Sequence, residues 1–230
     1  MSEKFTGFDQ SLIRFLKQLK RNNNRDWFAK NKSKYESDVL EPAMSFIRTF
    51  EPKLEKISDS YIASDKRVGG SLMRIYRDTR FSKDKTPYKT NVGIFFRHEM
   101  CGDIHAPGFY IHIEPGQCFW GVGTWHPDSE SLGLIREAIV NETAAWKRAR
   151  DNRKFRSVFQ ISGDSLKSAP RGYAKDHPLI EDLRRTDHVS MRHLTDDEVL
   201  APDFLKNTAA AFSASRPYVR FLCDALDIPF

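Results

Sequence analysis

Apolar residues recur every three or four positions through the first quarter of the chain. Leu12, Ile13, Leu16 and Leu19 fall on one face after Asp9, whose side chain suits an N-cap, so a helix is predicted there. The run RNNNRDW ends it, because successive Asn side chains compete with the helix for backbone hydrogen bonds. A second helix carries Trp27, Phe28 and Tyr35, and a third starts near Pro42 with Phe46, Ile47, Phe50 and Leu54 on its inner face. Pro52 is expected to bend or interrupt that third helix.

From about residue 68 to residue 124 the period shortens to two. GGSLMRIYRD, NVGIFFRH, GFYIHIEP and QCFWGVGTW are short β-branched or aromatic runs bounded by Gly, Pro and Asp, which is the pattern of strands. EPGQ (residues 114–117) puts Pro then Gly at the centre of a type II turn. A tight hairpin there sets Ile113 opposite Cys118, Ile111 opposite Trp120 and Phe109 opposite Val122 on a core face. The opposite face carries Tyr110, His112 and Glu114 beside Gln117, Phe119, Gly121 and Gly123, and is mixed and more open. The glycines of its GVG run read as room for large side chains crossing the strand.

Beyond Pro127, Asp128 can cap a helix through Leu132, Ile135, Ala138 and Ile139. LIEDLRR is a short helix, and KRARDNRKFR (residues 147–156) is an exposed helical face. Thr195 and Glu198 have capping-box spacing, Pro202 suits a first helical turn, and Pro217 separates two terminal helices. No repeat, low-complexity linker or boundary appears. Residues 1–230 therefore read as a single α+β domain, with a central antiparallel sheet of about four or more strands flanked by N-terminal and C-terminal helices.

Composition narrows the setting. The 230 residues are 40% hydrophobic and 30% charged, an ordinary globular balance with enough length for a proper core. No apolar run approaches the roughly 20 residues needed to span a bilayer, so no membrane partner is expected. The N-terminus lacks the basic-then-apolar order of a signal peptide. Cys101, Cys118 and Cys223 are widely spaced and odd in number, which predicts free thiols and a cytoplasmic protein.

Charge adds more. The chain holds 37 basic and 31 acidic residues, a net charge of +6. Between Asp65 and Arg97 stand nine bases and three acids, an excess that equals that of the whole chain. Regional basicity of this kind points to an anionic partner. It centres on RDTRFSKDKTPYKT (residues 77–90), where five bases face only Asp78 and Asp84. Arg74, Arg77 and Arg80 offer planar forks for phosphate or carboxylate, while Lys83, Lys85 and Lys89 act as point charges. Tyr88 adds a hydroxyl, and exposed amides in such a turn can line an anion nest. The competing reading pairs the acids with neighbouring bases, plugs the core with Phe81 and Tyr88, and makes the loop a cover for a sheet edge.

Three stretches carry a resemblance. NNNRDWFAKNKSKY (residues 22–35), RIYRDTRFSKDKTPYKT (residues 74–90) and FYIHIEPGQCFWGVGTWHP (residues 109–127) together resemble the family catalogued as domain of unknown function 2461, conserved hypothetical proteins of bacteria and fungi. The likeness extends over essentially the full length, including DHPLIEDLR at residues 176–184. It implies a single-domain fold and a shared site at the same basic loop, and names no reaction.

Other candidates lie outside the loop. His112 and Glu114 alternate on one strand face as a general base and its partner would, with Tyr110 as a third polar group; Asp78 is a further acid. His98, Cys101, Asp103 and His105 cluster in sequence with a spacing that matches no familiar metal site, so no metal ligands are assigned. His126 can cap the following helix, as can Asp176 and His177. Asn23 or Arg25 could form the polar side of one pocket with the basic loop, against a plain helix-to-helix corner anchored by Trp27. No phosphate loop, nucleophile elbow or dinucleotide fingerprint is present, and nothing identifies a cofactor.

Three functions fit these residues. The first is a site for a phosphorylated or otherwise anionic small molecule, with or without catalysis. The second is nucleic-acid binding, with Phe81 or Tyr88 available for stacking; a metal-dependent nuclease would also need Asp78, Asp84 and Glu114 to converge. The third is a protein–protein module whose loop docks an acidic partner.

Overall fold

The computed structural model describes residues 5–100 and 106–230. Helix α1 (Gln10–Arg21) starts where expected, with the Asp9 carboxylate accepting from the Ser11 amide at 2.8 Å. Its inner stripe of Leu12, Ile13, Phe15, Leu16 and Leu19 is buried. The second predicted helix divides at Asn31 into α2 (Arg25–Lys30) and α3 (Lys32–Tyr35), followed by a π-helical turn (Glu36–Leu40). Helix α4 (Glu41–Glu55) runs through Pro52 without interruption. Pro52, in the last turn, forfeits only its own N–H bond to the carbonyl four residues earlier, and packing holds the rest of the helix.

The sheet is six-stranded and antiparallel throughout, in the order β1-β2-β3-β4-β6-β5. The strands are β1 (Tyr61–Ile62), β2 (Val92–His98), β3 (Gly108–Ile113), β4 (Cys118–Thr124), β5 (Gln160–Ser162) and β6 (His188–Leu194). The β3–β4 hairpin has the expected register, with Ile111 opposite Trp120 and Phe109 opposite Val122. Gly116 takes φ +79° in its turn, as the third position of a type II turn requires.

One expected strand is not regular. Gly69 sits in a turn at φ +70°, and residues 72–78 form an irregular leg held by isolated bridges, Leu72 to Ile94 and Tyr76 to Tyr88. The bridges are four residues apart on the outgoing leg and six on the returning one, so the ladder breaks at Thr90 and Asn91.

The remaining helices are α5 (Ser129–Asn141), α6 (Thr143–Arg150), α7 (Arg153–Arg156), α8 (Ile180–Leu183), α9 (Asp196–Leu200), α10 (Phe204–Ala214) and α11 (Arg216–Ala225). Asp128 caps α5, and Thr195 with Glu198 forms the capping box of α9. Pro202 lies in the connector between α9 and α10, not in a helix, while Pro217 opens α11. His126 does not cap: its amide donates to buried Asp187 at 2.7 Å.

Aromatic side chains join the helices to one face of the sheet. Phe50 of α4 meets Phe96 at 5.0 Å, Phe212 of α10 meets Phe109 at 5.0 Å, and Phe204 meets Trp120 at 5.9 Å. Each such fully buried ring is worth ~1.5–3 kcal/mol of apolar transfer. The helices cover this face and leave the other, from Tyr110 to Met191, lining a cavity.

Candidate functional site

The basic loop uses its two acids on its two arginines. Arg80, 76% exposed, lays its fork on Asp78 with contacts of 2.7 and 3.0 Å. Arg77 reaches the Asp84 carboxylate at 2.6 Å and also bonds the Thr86 hydroxyl. Both carboxyls are held down to about 2: Asp78 mainly by Arg80, and Asp84 first by the Thr86 amide and then by Arg77. Lys83, Lys85 and Lys89 have no carboxylate partner among the described residues. Lys85 instead donates to the Thr79 carbonyl at 2.9 Å. Arg74, Lys83 and Lys85 are exposed, whereas Lys89 is partly buried.

Tyr88 is packed rather than displayed. Its ring stacks on Phe28 at 4.1 Å, and its backbone exchanges two hydrogen bonds with the Asn23 side chain, at 2.9 and 3.1 Å. Phe81, by contrast, is 95% exposed under the Arg80 guanidinium, 5.7 Å away. Asn23 thus belongs to the loop's own support, and Arg25 lies against the outer side of the same loop.

The open sheet face holds a cavity of about 510 Å³, within the size range of small-molecule sites. Its walls are mainly apolar: Met73, Phe95, Phe119, Trp125, Val189 and Met191. The titratable groups in the lining are Lys89, Tyr110 and His112. A polar groove of about 370 Å³ adjoins it, bordered by Lys20, Asn23, Arg77, Thr90 and Asn91. Lys89 lies in the walls of both.

His112, Glu114 and Tyr110, alternating on β3, come together as a polar chain. The His112 Nδ1 is 3.0 Å from the Tyr110 hydroxyl and 3.4 Å from the Asn91 amide nitrogen. Nε2 lies 3.5 Å from a Glu114 oxygen. The other Glu114 oxygen accepts from Lys20 at 3.1 Å and from Thr90 at 3.2 Å. The imidazole lies parallel to Phe119 at 4.7 Å.

Burial sets the protonation of this chain. It pushes His112 below its ordinary value, more than the Glu114 hydrogen bond raises it. It lifts the Tyr110 hydroxyl to about 12. At Glu114 burial acts upward, but Lys20, His112 and Thr90 outweigh it and the carboxyl is lowered. Burial, with the Arg74 charge, also lowers the Lys89 ammonium. At neutral pH the arrangement is an anionic Glu114 behind a neutral His112 and a neutral Tyr110, the latter two in the cavity wall. Such a chain can accept or return one proton.

Asp78, Asp84 and Glu114 do not converge. Among the described residues, no group of three or more His, Cys, Asp and Glu side chains is placed to hold a metal ion. His98 is engaged in the fold, with Nε2 on the Pro229 carbonyl at 2.7 Å and Nδ1 accepting from the Met100 amide at 3.2 Å. Cys101, Asp103 and His105 lie outside the described residues. Near α8, His177 Nδ1 accepts from the Leu179 amide at 3.1 Å.

Sequence reasoning passed over Lys20, Met73, Phe95, Trp125 and Met191. The signal available for them was the mixed, open face of the β3–β4 hairpin. Together, the fold and cavity define an α+β protein with a ligand-sized hollow on the uncovered face of an antiparallel sheet. The chain belongs to the family described as conserved hypothetical protein (DUF2461), whose model matches residues 11–221. No curated protein and no solved structure matches it.

Proposed function

We propose that the sheet-face cavity and the groove beside it form one site for a small anionic molecule. The apolar part of the ligand occupies the cavity and its anionic group meets Lys89. The Tyr110–His112–Glu114 chain is positioned to exchange a proton with that ligand, which makes an enzyme the favoured form of this reading. One observation carries it: Lys89 is partly buried, shared by both hollows, and has no carboxylate partner among the described residues. Burying an uncompensated ammonium is costly, and a bound anion would offset that cost. Arg77 and Arg80 are already occupied by Asp84 and Asp78, which moves the direct contact from the loop tip to its base.

The test is calorimetric titration of phosphate, nucleoside monophosphates and small carboxylates into the parent, Lys89→Met and Arg80→Ala proteins. Loss of a charged contact worth ~1.5–3 kcal/mol should weaken binding by roughly 10- to 150-fold in Lys89→Met. Arg80→Ala should bind within about twofold of the parent. The reverse ranking would place the site at the loop tip and refute this one.

A second reading rests on Phe81. A fully exposed aromatic ring beside Arg80 and Lys83 suits base stacking on a single strand. It requires oligonucleotide affinity that falls linearly with log salt and is lost in Phe81→Ala. A cytoplasmic setting is supported by the buried thiol of Cys118, which forms no disulfide. No helix among the described residues is long and apolar enough to cross a membrane.

A further inference from the structure

Two glycines of β4 that face the cavity owe their identity to different causes. Gly123 has φ +107°, and a Cβ there would lie 2.0 Å from the His188 carbonyl oxygen, so backbone geometry alone excludes any other residue. Gly121 is under neither constraint. Its φ is outside the left-handed region, and an added Cβ would meet the Phe119 ring and Tyr110 Cβ at 3.7 Å, ordinary contact distances. A side chain would fit the strand and would be favoured there, since glycine packs nothing and weakens a strand interior. What a side chain would take up is the floor of the cavity.

The walls around that floor are flat. Phe119 and the His112 imidazole lie parallel, and Phe95, Tyr110 and Trp125 close other sides, with Trp125 about half exposed. Bare peptide under a set of aromatic walls fits a planar ring better than a branched chain. The cation in the lining fits a negative substituent.

Building on the reading of Lys89 above, we infer that the cavity takes a planar aromatic ring bearing a carboxylate, laid over the Gly121 backbone with its carboxylate at Lys89. Gly121 is then a specificity-determining residue: it admits the ring, while Lys89 selects the charge.

The experiment titrates three probes by calorimetry: 2-naphthoate, 2-naphthylmethylamine and cyclohexanecarboxylate. They are compared in the parent, Gly121→Val, Gly121→Ala and Lys89→Met proteins, with thermal unfolding of each. The parent should bind 2-naphthoate at least tenfold more tightly than either other probe. Gly121→Val should lose tenfold or more of that affinity while melting at the same or a higher temperature, and Gly121→Ala should lose less. Lys89→Met should keep the ring and lose the preference for carboxylate over amine. Unchanged naphthoate affinity in Gly121→Val, or in Gly121→Ala if the valine protein fails to fold, overturns the inference. So does a parent that binds phosphate through Lys89 but no naphthalene, an outcome that leaves the anion site standing. Equal affinity for the naphthoate and the amine, still lost in Gly121→Val, supports the ring on Gly121 and refutes the role of Lys89.

Discussion

Arg80 and Lys89 carry the same charge in the same loop, yet their surroundings assign them different work. Arg80 is exposed and already forked on Asp78, so Arg80→Ala should leave stability essentially unchanged, as the loss of a surface pair does. Urea unfolding with an unchanged midpoint would confirm it. The loop's composition showed that three charges were left over, but Lys83, Lys85 and Lys89 cannot be told apart from composition. Only the depth of each side chain separates them, and depth depends on what α1 and β3 bring alongside. Gly123 makes the same point in backbone terms. Gly123→Ala drives a methyl into the His188 carbonyl and forces a left-handed φ, so it should cost more than ~1–3 kcal/mol in chemical denaturation. Gly121→Ala in the same assay should be close to neutral. Both glycines look alike in GVG, where large crossing side chains were the expected reason; at Gly123 the His188 carbonyl decides first, with the Tyr218 ring 3.2 Å from the same point, and at Gly121 the neighbouring rings leave ordinary room.

At the scale of elements, the β3–β4 hairpin was legible because its determinants are local. Alternation sets the faces, and EPGQ sets the turn and hence the register. Trp120 is 3% exposed, lies against Phe204, and has the Arg192 guanidinium 5.0 Å from its ring. Trp120→Ala should therefore destabilise the protein by ~3–5 kcal/mol. A melting point within a degree or two of the parent would show that this face is not core. Strand β6 was missed for an opposite reason. Its residues opposite Trp120, Val122 and Thr124 are Arg192, Ser190 and His188, so the inward positions of a central strand read as polar. Hydrophobic alternation cannot find a strand whose core face is apolar only at its last position, Leu194.

That polar core strand has a consequence for the whole molecule. His188 is fully buried beside Trp146, with neither ring nitrogen hydrogen-bonded, and its value falls to about 3. Burial is the main cause; the Arg185 and Arg136 charges act in the same direction, and Asp187 opposes them weakly. An unfolded histidine titrates near 6.5, so the unfolded chain binds the proton first. Stability from this group is complete above about pH 6.5 and declines as pH falls towards 3, by up to ~1.4 kcal/mol per unit. His112, also lowered by burial, adds a slope of the same sign. Denaturation midpoints measured from pH 7 to 4.5 should drop more steeply in the parent than in His188→Leu, which retains the His112 contribution. Parallel profiles would mean that His188 is not held neutral.

The sequence by itself determined the helices at each end, the hairpin register, the caps at Asp9, Asp128 and Thr195, and the presence of uncompensated charge near residue 80. Each follows from residues close together in the chain, where periodicity, turn chemistry and charge counts act directly. The tertiary structure decided which lysine is partly buried, that Tyr110 and His112 share a hollow with it while Glu114 backs the imidazole, and that β6 completes the floor. Those facts depend on strands and helices far apart in sequence meeting at one face. Burial and neighbouring charge come into being only when the chain has closed around them.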